Sequence, residues 1–317
     1  GDVGLDVKYG VASGLNLDLT FNTDFAQVEV DEQQVNLTRF PLFFPEKRDF
    51  FLENSGIFNV GAGSSGFGRH VDLFFTRRIG LSSSGQPIPI IGGARLTGKV
   101  NRHNIAALNI TTQENFGASG ENVFVARYSR DIFSRSKVGG IVIDKEAVDG
   151  SDYNRTFAAD MSLVVNPNFA VNGFLAKTQS PGISIGDMAG FFRGTWLSPS
   201  WSIFAEYTDL QDNFNAEVGF VPRVGIRTSK LHAEWDPRPG KWNIRMLDPM
   251  WEITYTTDQH NRLLTRRIHH MVGIYFEDGS SGWVYYNDHF EQLDAPFFIH
   301  QNVTIPAGTY RFGEWVY

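Results

Sequence analysis

The strict alternation of residues 3–22 leaves these segments one backbone conformation. In "VGLDVKYG", Val3, Leu5, Val7 and Tyr9 oppose Gly4, Asp6, Lys8 and Gly10; after "ASG" the pattern resumes in "LNLDLTFN", where Leu15, Leu17, Leu19 and Phe21 oppose Asn16, Asp18, Thr20 and Asn22. Successive side chains of a strand point to opposite faces, so each run is a strand with one apolar and one polar face. The three residues between them make the pair a hairpin.

The same reading predicts strands near 88–100, 104–112, 122–132, 137–146, 154–165, 169–178, 186–197, 201–210, 225–236, 242–257, 263–277, 282–292 and 308–317. Two are especially regular. "WSIFAEY" places Trp201, Ile203, Ala205 and Tyr207 on one face, and "WEITYTT" does the same for Trp251, Ile253 and Tyr255. No amphipathic helix is predicted. About fifteen or more strands of this length exceed a simple sandwich and predict an all-β fold, a large antiparallel transmembrane β-barrel.

Connections alternate in length. Short links at 12–14, 101–103, 134–136, 166–168, 198–200, 238–241 and 278–282 come at every second position, and the intervening links at 113–121, 147–153, 179–185, 211–224 and 293–307 are mostly longer. Outer-membrane barrels show this asymmetry. Trp196, Trp201, Trp235, Trp242 and Trp283 lie at strand ends, where aromatic girdles of such barrels sit. By the same parity residue 1 lies on the long-loop side and "GTYRFGEWVY" stops in mid-alternation, so the barrel is expected to be truncated at both ends.

Composition narrows the function. With 317 residues and no linker, one domain over 1–317 is expected. A net charge of -7 with scattered arginines excludes a nucleic-acid partner. The absence of Cys removes disulfides, thiolate metal sites and Cys nucleophiles. No apolar run reaches eighteen residues, so no transmembrane helix is predicted; a barrel, which crosses with alternating strands, escapes that criterion.

One block interrupts the alternation. "RFPLFFPEKRDFFLENSGIF", Arg39 to Phe58, mixes aromatics with charges, and Pro41 and Pro45 favour an irregular path. Counting "DLFFTRRIG", Asp72 to Gly80, as a spanning strand would reverse all later hairpins. Residues 28–85 are therefore read as one long excursion on the loop side, with room for a short hairpin of its own. An insertion this long in a compact domain calls for a function. A barrel this wide has a water-filled lumen unless something fills it. The candidates for a plug or constriction are Arg39, Phe43, Phe44, Glu46, Lys47, Arg48, Asp49, Glu53, Arg77 and Arg78. A structural buttress and a selective constriction both fit them.

Other constellations carry less. His269 and His270 point to opposite faces of one strand and cannot share a metal. Asp258, His260, Asp288 and His289 follow no catalytic spacing, and no G-x-S-x-G elbow occurs. "GAGSSGFG", Gly61 to Gly68, lacks the Lys-Ser/Thr ending and the helix of a phosphate loop. Phe116, Tyr153, Phe214, Phe297 and Phe298 could stack on sugars or on one another. No catalytic residue, cofactor or metal is expected, and the chain is not read as an enzyme.

From "NTDFAQVEVDEQQVNLTRFPLFFPEKRDFFLENSGIF" through "LFFTRRIG", and again at "GSSGWVYYNDHFEQLD" and "IPAGTYRF", the chain resembles a family of uncharacterised bacterial proteins. Its members join an N-terminal module like the family-nine carbohydrate-binding domains to a C-terminal outer-membrane β-barrel. The resemblance implies an outer-membrane location, a bilayer as partner, and links to glycans or to other envelope proteins. It supplies no catalytic residue. The expected function is a porin-like or plugged barrel tied to glycan binding or uptake; the alternatives are a closed barrel serving as surface anchor or assembly partner, and a rim-site hydrolase.

Overall fold

A computed structural model describes residues 4–22, 36, 38–61, 71–81, 88–114, 119–300 and 303–317. The alternating runs form the strands β1 (Leu5–Ala12), β2 (Leu15–Phe21), β3 (Ile90–Val100), β4 (His103–Thr112), β5 (Glu121–Ile132), β6 (Ser136–Ala147), β7 (Tyr153–Asn166) and β8 (Phe169–Gln179). They continue as β9 (Met188–Ser198), β10 (Trp201–Leu210), β11 (Ile226–Trp235), β12 (Ile244–Asp258), β13 (Leu263–Phe276) and β14 (Ser281–Leu293). The link expected to be a bare loop at 293–307 holds a small hairpin of its own, β15 (Phe297–His300) with β16 (Val303–Ile305). The last strand, β17 (Gly308–Val316), pairs with β14.

These strands make one antiparallel sheet of fifteen, in sequence order from β1 through β14 and then β17. Its outer strands β1 and β17 are edges; they do not pair with each other, so the sheet is not closed. It is nonetheless rolled. Arg39 bonds the Gln292 carbonyl of β14, while Glu53 bonds Lys8 of β1. The thirteen residues between them contain prolines and a helical turn, a broken path far shorter than a fully extended one. Laid flat, β1 and β14 would lie about 62 Å apart. The inserted segment therefore sits on a concave face that curls around it.

Burial is inverted relative to a water-soluble sheet. The apolar faces read from sequence point outward and stay exposed: Leu5 is 60 % exposed, Tyr9 64 % and Leu175 66 %. On the concave side Thr20 and Thr97 are fully buried, and so, nearly, are Arg95, Arg127 and Asn154. Apolar residues do line that side where the insertion covers it, as Leu108, Ile110, Val125, Ile141 and Ile143 do. No helix among the described residues is long and apolar enough to cross a membrane, which says nothing about strands.

Four of the five strand-end tryptophans lie on the outer face or in a turn. Trp196, Trp201 and Trp235 share the outer face near the short turns, and Trp201 stacks on Trp235 at 5.7 Å. Trp242 lies exposed within a turn. Trp283 departs from the expected girdle: its register partner Gly273 faces Asp248, which puts it on the concave side, stacked on Tyr285.

Strand proximity at the first hairpin depends on glycine. A Cβ on Gly98 of β3 would stand 2.0 Å from the Gly14 carbonyl oxygen and 2.7 Å from Leu15 Cα. Gly98→Val should therefore cost about 1–3 kcal/mol by overpacking against backbone, read as a lower midpoint in thermal denaturation followed by circular dichroism. Gly10→Ala in β1, where a Cβ meets nothing within 4 Å, should leave the midpoint close to the parent's.

Candidate functional site

The insertion takes an irregular path broken by three short helical turns: α1 (Asp49–Leu52), a 3-10 turn at Ser55–Phe58 and another at Thr76–Arg78. Its described residues contain no hairpin, and the "DLFFTRRIG" stretch adds no spanning strand. Asp72 instead makes a single antiparallel bridge to Phe220, reinforced by Phe75 N–H donating to the Val218 carbonyl at 2.7 Å. Residues 28–35, 37, 62–70 and 82–85 of the excursion lie outside the described residues, as do Val3, most of the "GAGSSGFG" run and Phe116.

Two apolar clusters seat the insertion. Phe51, Phe58 and Ile79 pack on inward residues of β3 to β6. Leu73 packs with Phe174, Ala176, Ala189, Leu210, Ile226 and Leu264 from β8 to β13. The β10–β11 link, expected as an outer loop, folds inward and joins both clusters. Its Phe214, Ala216 and Val218 are buried, so Phe214, 2 % exposed, is no sugar-stacking surface. Asn154 on β7 holds this link by donating to the Asn215 carbonyl at 2.8 Å, and Lys145 on β6 pairs with Glu217 at 3.0 Å.

The strongest ties are ionic. Arg127 on β5 makes a bidentate pair with Asp160 on β7, at 2.6 and 2.8 Å, both side chains essentially inaccessible. The two strands are separated by β6, and Gly139 lies between them in register; a Cβ there would stand 2.7 Å from Arg127 Nη1. That glycine lets the guanidinium cross a strand. The pair then reaches the insertion: Arg127 Nη2 donates to the Asn59 carbonyl at 3.1 Å, and Asp160 accepts from Gly61 N–H at 2.9 Å.

Arg95 on β3 repeats the arrangement. It pairs with Asp18 on β2 at 2.8 Å and donates to the carbonyls of Phe50 and Glu53. In both cases a buried arginine satisfies carbonyls that a short helical turn leaves without an internal partner. None of Arg95, Arg127, Asp18 and Asp160 stands out in the sequence, where each is one polar residue on a wet face.

The expected candidates are brought onto this insertion but not to one point. Glu46 and Arg48 form a local clamp: Arg48 bonds Glu46 through Nε (2.8 Å) and Nη2 (2.7 Å) and donates to the Ile79 and Thr76 carbonyls. Thr76 Oγ1 and the backbone N–H groups of Lys47 and Arg48 also donate to Glu46. Phe43 packs on Phe75 and Phe220, and Phe44 lies under Arg77, which donates to the Pro45 carbonyl at 2.8 Å. Arg39 pairs with Glu291 at 2.7 Å, and both Arg39 and Arg223 lie over the Phe40 ring. Asp49 and Arg78 are exposed; Arg78 Nε donates to the Gly219 carbonyl at 3.3 Å. Glu53 pairs with Lys8 and approaches Arg95 at 3.7 Å.

The insertion covers the loop-side half of the concave face; toward the short turns that face is polar. Lys99 pairs with Asp131 at 2.5 Å, Lys230 with Glu252 at 3.1 Å, and Asn287 links His269 to Glu314. Arg193 and Glu206 face each other across β9 and β10. A cavity of about 310 Å³ remains between the insertion and the sheet, lined among others by Phe43, Glu46, Phe58, Leu73 and Arg95. The rim residues do not assemble into a catalytic group. Asp258 accepts from the backbone of His260 and Arg262, while Asp288 and His289 point to opposite faces of β14.

Arg127→Met would leave Asp160 buried without its partner, a change that costs about 3–5 kcal/mol. Faster limited proteolysis between residues 39 and 61 should report it. The Glu46 carboxyl is pushed up by burial, but Arg48 and Thr76 outweigh that and hold it below its ordinary value of 4.5. A depressed carboxylate contributes stability above its unfolded pKa that is lost as pH falls through the folded one. The insertion should therefore become protease-sensitive as pH drops below about 4.5, and Glu46→Gln should flatten that profile.

Residues 1–89, which include the first hairpin and the whole of the insertion, match the family model described as a domain of unknown function, DUF5916. No curated protein and no solved structure matches the chain significantly.

Proposed function

We propose that the chain is an integral outer-membrane β-barrel domain of a bacterial envelope, whose lumen is plugged on the loop side by the inserted segment. The inverted burial carries this reading: large apolar side chains cover the outer face while threonines, arginines and asparagines fill the concave one. A soluble protein rarely exposes so continuous an apolar surface, whereas a barrel in lipid needs it.

The plug then stands over a wet, charged basin open toward the short turns, bounded by Lys99, Arg193, Glu206, Lys230, Glu252 and Arg267. Solutes entering that basin meet a floor held by Arg95 and Arg127, so passage requires the plug to yield or to leave a gap beside it. The resemblance to barrels with carbohydrate-binding modules makes glycans the proposed class of ligand. A second reading, a permanently closed anchor for other envelope proteins, draws support from the same buried ion pairs, which resist displacement.

Conductance across planar bilayers separates the two. A plugged channel should show small or no current as it stands and a several-fold larger one after deletion of Phe40 to Phe58, or in Arg95→Met/Arg127→Met where the deletion fails to assemble. Unchanged current in both variants would leave the closed anchor. Monodispersity without detergent would refute the membrane reading itself.

A further inference from the structure

The ion pairs of the concave face leave one group of carboxylates out. Glu234 at the end of β11, Asp236 just after it, and Asp248 on β12 place carboxylate oxygens within 4.8 Å of one another. All three share the concave side, since Glu234 faces Met250 in register and Asp248 lies two residues from it. Backbone bonds continue around them, from Asp236 N–H to the Ser200 carbonyl and from Leu247 N–H to the Pro237 carbonyl, so ordered β-structure fixes their positions.

Among the described residues no Lys or Arg forms a salt bridge with any of the three; the one basic neighbour is His232, whose Nε2 lies 3.3 Å from Glu234. Glu206 and Glu252, on the same face, each have a cationic partner. Asp248 is 7 % exposed, and its Oδ1 accepts no hydrogen bond; Asp236 Oδ1 is likewise buried without a donor. Gly273 stands opposite Asp248, and a Cβ there would come within 3.4 Å of Asp248 Oδ2. Buried carboxylate oxygens normally find donors or a cation.

We infer that Glu234, Asp236 and Asp248 form a calcium site at the short-turn end of the sheet, bridging β11 and β12. An all-oxygen, multiply anionic donor set selects a hard divalent cation. Ligands about 2.4 Å from a common ion cannot lie farther apart than about 4.8 Å, and the three oxygens fall inside that limit. Magnesium, which holds its ligands closer and keeps most of its water, is the poorer fit. Bound calcium would clamp the longest turn on this side, 236–243, to the strands it joins.

Terbium luminescence tests the site directly, because Trp235, although on the outer face, is flanked in sequence by Glu234 and Asp236 and is near enough to sensitise the ion. The purified, chelator-treated protein should give saturable luminescence on tryptophan excitation, displaced by calcium and much less by magnesium. Asp248→Asn and Asp236→Asn should each weaken terbium binding at least about tenfold, while Asp149→Asn in an exposed turn should leave it unchanged. Calcium should raise the thermal midpoint of the parent and not of the two variants. Lack of saturable luminescence, or of a calcium-dependent midpoint in the parent, would overturn the site. So would undiminished terbium binding in both variants, and equal displacement by magnesium would overturn the choice of ion. If the cluster instead only shares a proton with His232, Asp248→Asn would raise the midpoint and calcium would do nothing.

Discussion

The architecture depends on two buried guanidinium groups that belong to the sheet and to the insertion at once. Arg127 and Arg95 each neutralise a strand carboxylate and also donate to carbonyls at the ends of short helical turns. Neither half of the arrangement stands alone. Without Asp160 and Asp18 the arginines would be buried charges; without the arginines the turns would end in unsatisfied carbonyls. A helix of four residues has almost no intrinsic stability, so α1 exists because β3 supplies its C-terminal partners.

This coupling explains the mixed composition of the 39–58 block. Its phenylalanines are divided between two surfaces: Phe51 and Phe58 meet the apolar inner residues of β3 to β6, while Phe43 joins Phe75 of the insertion and Phe220 of the β10–β11 link. Its charges are largely consumed internally, in the Glu46–Arg48 clamp, or at the two ends of the rolled sheet, in Lys8–Glu53 and Arg39–Glu291. A charge-rich segment can lie against a concave surface because Glu46 and Arg48 neutralise each other within it and Arg39 and Glu53 find partners on the sheet.

How much of this the sequence disclosed follows from the range of each interaction. Strands have a period of two, a local property, so "LNLDLTF" and "WSIFAEY" declare themselves and their parity places the long excursion on one side. Which of the two faces is wet is also local. The pairing of Arg127 with Asp160 is not, because it spans two strand registers; the one visible hint was the glycine pair in "KVGGIV", since glycine inside a strand often marks a close approach. The inward fold of the β10–β11 link was hidden for a similar reason. "NFNAEVGF" alternates as a strand does, but nothing local says that its apolar face turns inward; only the insertion it meets makes burial of Phe214 and Val218 favourable. Of the ten candidate residues, all that contact the sheet do so through partners, such as Glu291 and Lys8, far away in the chain.

The division of the concave face into a covered half and a wet half follows from the same economy of partners. Where the insertion lies, inward positions are Leu108, Ile110, Val125 and Ile143, which need a dry cover; where it does not, they are Lys99, Glu206, Lys230 and Glu252, which need each other or water. Replacing buried ion pairs by apolar residues of similar volume often leaves stability unchanged, so stability alone does not require Arg95 and Arg127. Their directional bonds instead fix one seating among the many that a phenylalanine-rich segment could take on an apolar wall. A segment held only by its phenylalanines could slide along the strands; one whose carbonyls are read by two arginines on β3 and β5 has a single register.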